Sequence, residues 1–237
     1  MAADRRKRLR RIVRPAWSFR LLRTTGPIGT HWGWDRGTPV DRHYIEGFLE
    51  RHRGDIRGRV LEIKGPLYTN RFGAGVTSSD VLDLNQANAA ATIHADLAAA
   101  DAVPSESFDC AIVTQTLQLI LDVRAALAEL RRMLVPGGVL LATVPTTSRV
   151  VSPGPEGVDY WRFTPSACTA LFGSAFGPDN VVVEPHGNLS ASVAFLHGLA
   201  AEELPKAMLD VYDPNFPLVV GIRAVKETSE EGLARRR

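Results

Sequence analysis

Hydrophobic and polar positions along this chain alternate between two periods. Tyr44, Ile45, Phe48 and Leu49 fall on one face of a 3.6-residue repeat. Thr38 is placed to cap that helix, Pro39 suits its first turn, Asp41 lies near its positive end, and it should stop near Gly54. Short apolar runs then predict strands at Arg59–Ile63, Asp80–Leu84, Thr92–Ala95 and Phe108–Val113. Asp122 opens a helix through Leu134, with Val123, Ala126, Leu127, Leu130 and Leu134 on its buried side. A fifth strand follows at Val139–Val144, a helix from Thr164-Pro165, a sixth strand at Val181–Glu184, a helix over Ser190–Leu204 and a last strand at Leu218–Val225. Strands alternating with helices predict an α/β fold whose mostly parallel sheet has right-handed crossovers. Such sheets bind ligands beyond the carboxyl ends of their strands, so chemistry is to be sought in the loops after the first four.

Composition narrows the class. The 237 residues are 45% apolar and 23% charged, enough for a core and too apolar for global disorder. No apolar run approaches the roughly 20 residues of a membrane span, and the basic N-terminus has no apolar segment behind it, so no secretory signal is expected. Cys110 and Cys168 give neither a disulfide framework nor metal spacing, which fits a reducing cytoplasm, and no metal site is expected. The net charge of +2 hides an asymmetry. Residues 1–23 carry nine Lys/Arg and one acid, leaving 19 basic and 25 acidic residues, a net of −6, for the rest. Apolar residues interleave with these arginines as in a helix that contacts a membrane surface or an acidic partner. Pro15 interrupts such a helix, and the plainer reading is a solvated arm. The expected organisation is a basic arm at 1–35, one domain at 36–226 with an insertion at 186–212 able to cover a pocket, and a polar tail at 227–237.

Two segments carry the most information. One is Phe108-Asp109 opening an apolar strand that ends in Thr114-Gln115; the other is Pro136-Gly137-Gly138 between a helix and a strand, read as a helix stop. Together they resemble the second half of a class I S-adenosylmethionine (SAM)-dependent methyltransferase domain. Asp159-Tyr160-Trp161-Arg162-Phe163-Thr164-Pro165 is similar to the segment after the fifth strand in type-11 methyltransferase-like proteins. Trp34–Glu46 resembles an arm and helix of a bacterial subgroup associated with glycan assembly. The resemblance implies a Rossmann-like class I methyltransferase fold with a mostly parallel seven-stranded sheet, helices on both faces, and SAM as cofactor.

The cofactor positions are carried over residue by residue. Glu62 matches the acid of the first strand, but Lys64, Pro66 and Tyr68 stand where glycines are expected and Gly65 is out of phase. Lys64 is a candidate partner for the cofactor's carboxylate, and Tyr68–Gly73 for a substitute loop. Asp83, with Leu84 beside it, lies 21 residues after Glu62, where a carboxylate accepts from ribose hydroxyls; a dinucleotide-binding domain shares that spacing. By the resemblance Asp96 and Leu97 read the adenine edge, and Thr114 and Gln115 face the methionine part.

Methyl transfer from a sulfonium needs orientation and exclusion of water more than chemistry by the protein. The six histidines have no diagnostic spacing, and none is named as a base. Tyr160, Trp161, Arg162 and His186 are candidates for the acceptor side. The leading reading is a SAM-dependent methyltransferase acting on a small molecule or saccharide. The alternative is an inactive methyltransferase-like scaffold for glycan assembly, using the arm as its contact; a nicotinamide dehydrogenase comes third. Specific nucleic-acid binding is not expected, because only the arm supports it.

Overall fold

The computed structural model describes residues 25–151 and 157–228, so the proposed basic arm up to residue 24 and the tail from 229 lie outside the described residues. One seven-stranded sheet organises the rest: β1 Gly58–Ile63, β2 Val76–Asp83, β3 Ile93–His94, β4 Phe108–Thr114, β5 Leu134–Pro145, β6 Val181–His186 and β7 Val219–Val225. Their spatial order is β3-β2-β1-β4-β5-β7-β6, and only β7 runs antiparallel to its neighbours. The order reverses between β1 and β4, which leaves a crevice beyond their carboxyl ends.

Helices cover both faces. On one side α1 (Val40–Arg51) buries Val40, Tyr44, Ile45, Phe48 and Leu49, as the periodicity predicts. Its N-cap, however, is Pro39 with no side-chain bond, and Thr38 lies one residue before it, its amide donating to Glu202 at 2.9 Å. The same side carries α2 (Leu67–Phe72) and α5 (Leu189–Leu196). The opposite side carries α3 (Val123–Met133) and α4 (Pro165–Phe176), capped by Asp122 and Thr164. A one-turn helix α6 (Lys206–Leu209) completes the set.

Three expectations are corrected. Tyr68–Gly73 is not a loop but falls largely within the short helix α2. The helix expected over Ser190–Leu204 ends at Leu196, where Gly198 (φ +72°) turns the chain. Pro136-Gly137-Gly138 does not stop a helix. α3 has already ended at Met133, Leu134 pairs with Phe108, and Gly137 (φ +81°) forms an irregularity within β5 whose amide donates to Lys226 at 2.8 Å. Gly138 must lack a side chain there, since a Cβ would sit 2.8 Å from the Val135 carbonyl.

Residues 25–37 are packed rather than trailing. The Gly29 amide donates to His197, Arg36 pairs with Glu203, and Pro39 bridges Ala200. α1 presses on the sheet so closely that a Cβ on Gly221 of β7 would meet the Phe48 ring at 2.6 Å. Both residues are buried, so the clash has no solvent to escape into. Gly221→Ala should therefore lower the unfolding free energy by about 1–3 kcal/mol in urea titration; an unchanged midpoint would mean that α1 can shift freely on the sheet.

Candidate functional site

A cavity of about 710 Å³ opens beyond the carboxyl ends of β1 and β4, within the roughly 300–1,000 Å³ range of small-molecule sites. Its floor comes from Ile63, Lys64 and Gly65 after β1 and Thr114, Gln115 and Thr116 after β4. Residues 32 and 34 before α1, Asp41 and Arg42 on α1, and residues 148, 149 and 151 after β5 form the opposite wall.

The β1 loop is held by Glu62. Its buried carboxylate accepts from the Tyr68 amide at 2.9 Å, the Thr69 amide at 2.8 Å and the Thr69 hydroxyl at 2.7 Å. Burial pushes this carboxyl up, against the pull of those three donors. The carboxylate is thus committed to the first turn of α2. Lys64 takes φ +68°, the left-handed conformation for which glycine is usually chosen. The turn survives with a lysine in it, at a cost of roughly 1–2 kcal/mol. Gly65 has open space where a Cβ would stand. Tyr68 does not fill the cavity; it packs beside Phe72 and its hydroxyl accepts from Arg42 at 2.7 Å.

Gln115 is a second strained position, at φ +48°. Its amide nitrogen Nε2 is sealed from solvent without a partner among the described residues, as is Oε1 of Gln118. Two orphaned amide ends on a cavity wall call for a ligand's donors and acceptors. Sequence reasoning named Gln115 but missed Gln118.

It also missed Asp41. This carboxylate is buried on the cavity wall, with Oδ1 accepting from the Arg42 amide at 2.8 Å. Its Oδ2 makes no hydrogen bond among the described residues, the Arg42 guanidinium standing 4.0 Å away. Burial raises its pKa, and the Arg42 charge opposes this only in part. The only sequence signal was an acid in the first turn of an amphipathic helix.

Other predicted residues sit elsewhere. Asp83, Leu84, Asp96 and Leu97 do not line this cavity. Burial works against ionisation of Asp83, but the Asn85 amide, the Asn88 side chain and the Lys64 charge outweigh it and lower its pKa. Asn88 donates to Asp83 at 2.7 Å and to the Lys64 carbonyl at 2.8 Å, tying the ends of β1 and β2 together. Leu84 is exposed, Asp96 turns the chain by accepting from the Ala98 amide, and Leu97 is buried in the core. Of the Tyr160-Trp161-Arg162 group none lines the cavity. Trp161 donates to the Ile120 carbonyl, and Arg162 forks onto Asp159 while donating to the Arg149 carbonyl at 2.7 Å. Of the insertion at 186–212, Phe195 reaches the cavity.

Residues 68–142 match the type-11 family described as "Methyltransferase domain". Over this stretch the chain resembles a methyltransferase domain. The match begins immediately after the altered β1 turn and ends within β5. Among curated proteins none matches the sequence. Solved structures share the fold. A SAM-dependent methyltransferase from Mesorhizobium loti superimposes with TM-score 0.52 at 17% identity, over 79% of this chain and 98% of its own. The N-methyltransferase NodS of Bradyrhizobium japonicum, in complex with S-adenosylhomocysteine, gives 0.50 at 13% over 84% and 94%. The [4+2]-cyclase SpnF gives 0.54 at 17% over 86% and 89%. These likenesses are of fold.

Methyltransferase domains of this class use SAM, and the cavity can be tested against that cofactor. The strained Lys64 turn keeps the backbone open beside Gly65, and Gln115 offers an unused donor at the end of β4. Both features fit a bound nucleoside-amino-acid conjugate. Among the described residues no cluster suits a metal ion, and no helix is long and apolar enough to cross a membrane.

His186 lies outside the cavity, in a network with Arg51 and Glu184 behind α1. Burial, with the Arg51 charge, pushes its pKa down to about 4, with partial opposition from Glu184. The unfolded chain takes up this proton near the ordinary 6.5, so the folded protein binds fewer protons below that pH. The contribution is complete above pH 6.5 and is lost as pH falls toward 4. Urea titrations should show stability falling by roughly 1–3 kcal/mol between about pH 7 and 4.5. His186→Gln should flatten that slope; an identical slope would place the proton uptake on another group.

Proposed function

We propose that this domain transfers the methyl group of SAM to a small-molecule or saccharide acceptor in the 710 Å³ cavity. The observation that carries the reading is the cavity itself, open between β1 and β4 despite three bulky residues in the usual glycine positions. Had Pro66, Leu67 or Tyr68 filled it, the inactive scaffold would be the better account. Instead Tyr68 is engaged with Arg42 and Leu67 is exposed.

When bound, SAM supplies an activated methyl group, and the chain's residues orient, desolvate and move protons. Lys64, Gly65, Thr114 and Gln115 hold the cofactor from the strand ends. Glu62 acts on it indirectly, by fixing the turn before α2. Asp83 and Leu84 at the end of β2, and Asp96 and Leu97 after β3, extend the cofactor site outward toward the nucleoside. Asp41 takes the proton of an oxygen or nitrogen nucleophile through Oδ2, and burial, by raising its pKa, makes it a stronger base for that task. Gln118 orients the acceptor. Tyr160 and Trp161 flank the entrance, and Arg162 positions residues 148–149.

Isothermal titration with SAM and S-adenosylhomocysteine tests the cofactor. Saturable binding is expected, weakened about tenfold in Gln115→Ala by loss of one buried hydrogen bond. A folded wild-type protein giving no heat with either compound would refute the enzyme reading in favour of the scaffold. Once an acceptor is in hand, Asp41→Asn should keep S-adenosylhomocysteine affinity while turnover falls roughly 10²-fold or more. A matching loss of affinity would reassign Asp41 to the cofactor.

A further inference from the structure

Arg149 is a cation on the cavity wall without a counter-charge among the described residues. Among the described residues its guanidinium makes no hydrogen bond and no ion pair; its carbon lies 3.4 Å from the centre of the Trp32 ring. Burial lowers its pKa. The neighbouring charges are already taken. Arg162 is forked onto Asp159, which also accepts from the Val151 amide, and Arg42 bonds Tyr68 beside Asp41. Withdrawing a guanidinium from water without an anion is unfavourable. Stacking on an indole offsets part of that cost and leaves the planar N–H edge unused.

The stack is built rather than incidental. Trp32 has φ +55°, which is rare for a bulky residue and costs on the order of 1–2 kcal/mol. Contacts of the next few residues hold that strain. Gly33 lies against the Leu199 carbonyl, where a Cβ would come within 2.5 Å, and Arg36 pairs with Glu203. From the other side Arg162 fixes the Arg149 carbonyl. Both partners of the stack are thus positioned by contacts outside the cavity, and exposed Trp34 stands beside them on its rim.

We infer that the Arg149–Trp32 stack is the anion subsite of the methyl acceptor. It takes a phosphate or carboxylate on the guanidinium edge, with the ring of the same molecule against Trp34. The inference rests on the methyltransferase reading. The cofactor also carries a carboxylate, but its candidate contacts follow β1 and β4, where Lys64 supplies positive charge. Arg149 follows β5, and Trp32 precedes α1. A phosphorylated saccharide answers both halves of the subsite, a flat sugar face for the indole and an anion for the fork.

The test titrates glucose 1-phosphate, inorganic phosphate and glucose into the full-length protein, with and without saturating S-adenosylhomocysteine. Glucose 1-phosphate should bind, phosphate should compete with it, and glucose should give no heat. Arg149→Gln should weaken glucose 1-phosphate by about tenfold or more, and Arg149→Lys should restore little, because an ammonium cannot fork. Trp34→Ala should weaken glucose 1-phosphate and leave phosphate unchanged. S-adenosylhomocysteine should bind all variants equally. Equal probe affinity in Arg149→Gln, or no binding of either anion by the wild type, overturns the subsite. Weaker S-adenosylhomocysteine binding in Arg149→Gln assigns the anion to the cofactor and overturns it as well. If glucose 1-phosphate binds through Arg149 while S-adenosylhomocysteine does not bind the wild type, the methyltransferase reading falls and the anion site stands.

Discussion

One buried carboxylate keeps the ligand-binding crevice open. Glu62 receives two amides and a hydroxyl from Tyr68 and Thr69, so the chain leaving β1 must turn at Lys64 and enter α2 in one fixed direction. Where glycines would normally allow that turn without strain, the bonds to Glu62 enforce it on bulkier residues. The strain at Lys64, roughly 1–2 kcal/mol, is comparable to what one such charge-assisted hydrogen bond returns. Side chains that look obstructive in the sequence thereby line the cavity without filling it: Tyr68 stacks beside Phe72 and bonds Arg42, and Leu67 is exposed at its edge. The shape of the cavity beside β1 and the placement of α2 both follow from this arrangement.

Much of the fold is legible in the residue pattern. The strand–helix alternation, the buried faces of α1 and α3, and the Asp122 cap are local patterns, and local patterns survive folding. The misreadings share a cause in long-range partners. Thr38 has the chemistry of a cap, but Pro39 takes the cap position, and Thr38 instead ties the start of α1 to Glu202, far away in sequence. Pro136-Gly137-Gly138 looks like a helix stop, yet Leu134 has already joined β4. α2 is too short to show a period, and Gly198 breaks an apolar run that otherwise reads as one helix. That Lys64, Gly65, Thr114 and Gln115 line the cavity was legible because they end or follow strands that order themselves around the β1–β4 reversal. Asp41, Gln118, Trp32 and Arg149 were not, since their convergence depends on how α1, the preceding segment and the β5 loop pack.

The likeness to both methyltransferases and a [4+2]-cyclase shows how little the sheet alone says about chemistry. Among the described residues, the cavity wall combines a buried carboxylate, two orphaned amide ends and a stacked guanidinium. None of these groups is required by the fold. Each carries a desolvation cost that packing offsets only in part, which is why they speak to a ligand rather than to stability.

The contact between residues 29–37 and 197–203 has a consequence for engineering. Gly29 and Gly198 touch backbone to backbone, and Gly33 rests on Leu199. The strip bearing both tryptophans is therefore moulded to the excursion between β6 and β7, and neither piece can be exchanged alone without a steric collision. Transplanted together they form a cassette. Chimeras that swap this pair as a unit, leaving β1 through β4 intact, offer a route to new acceptors on an unaltered cofactor platform.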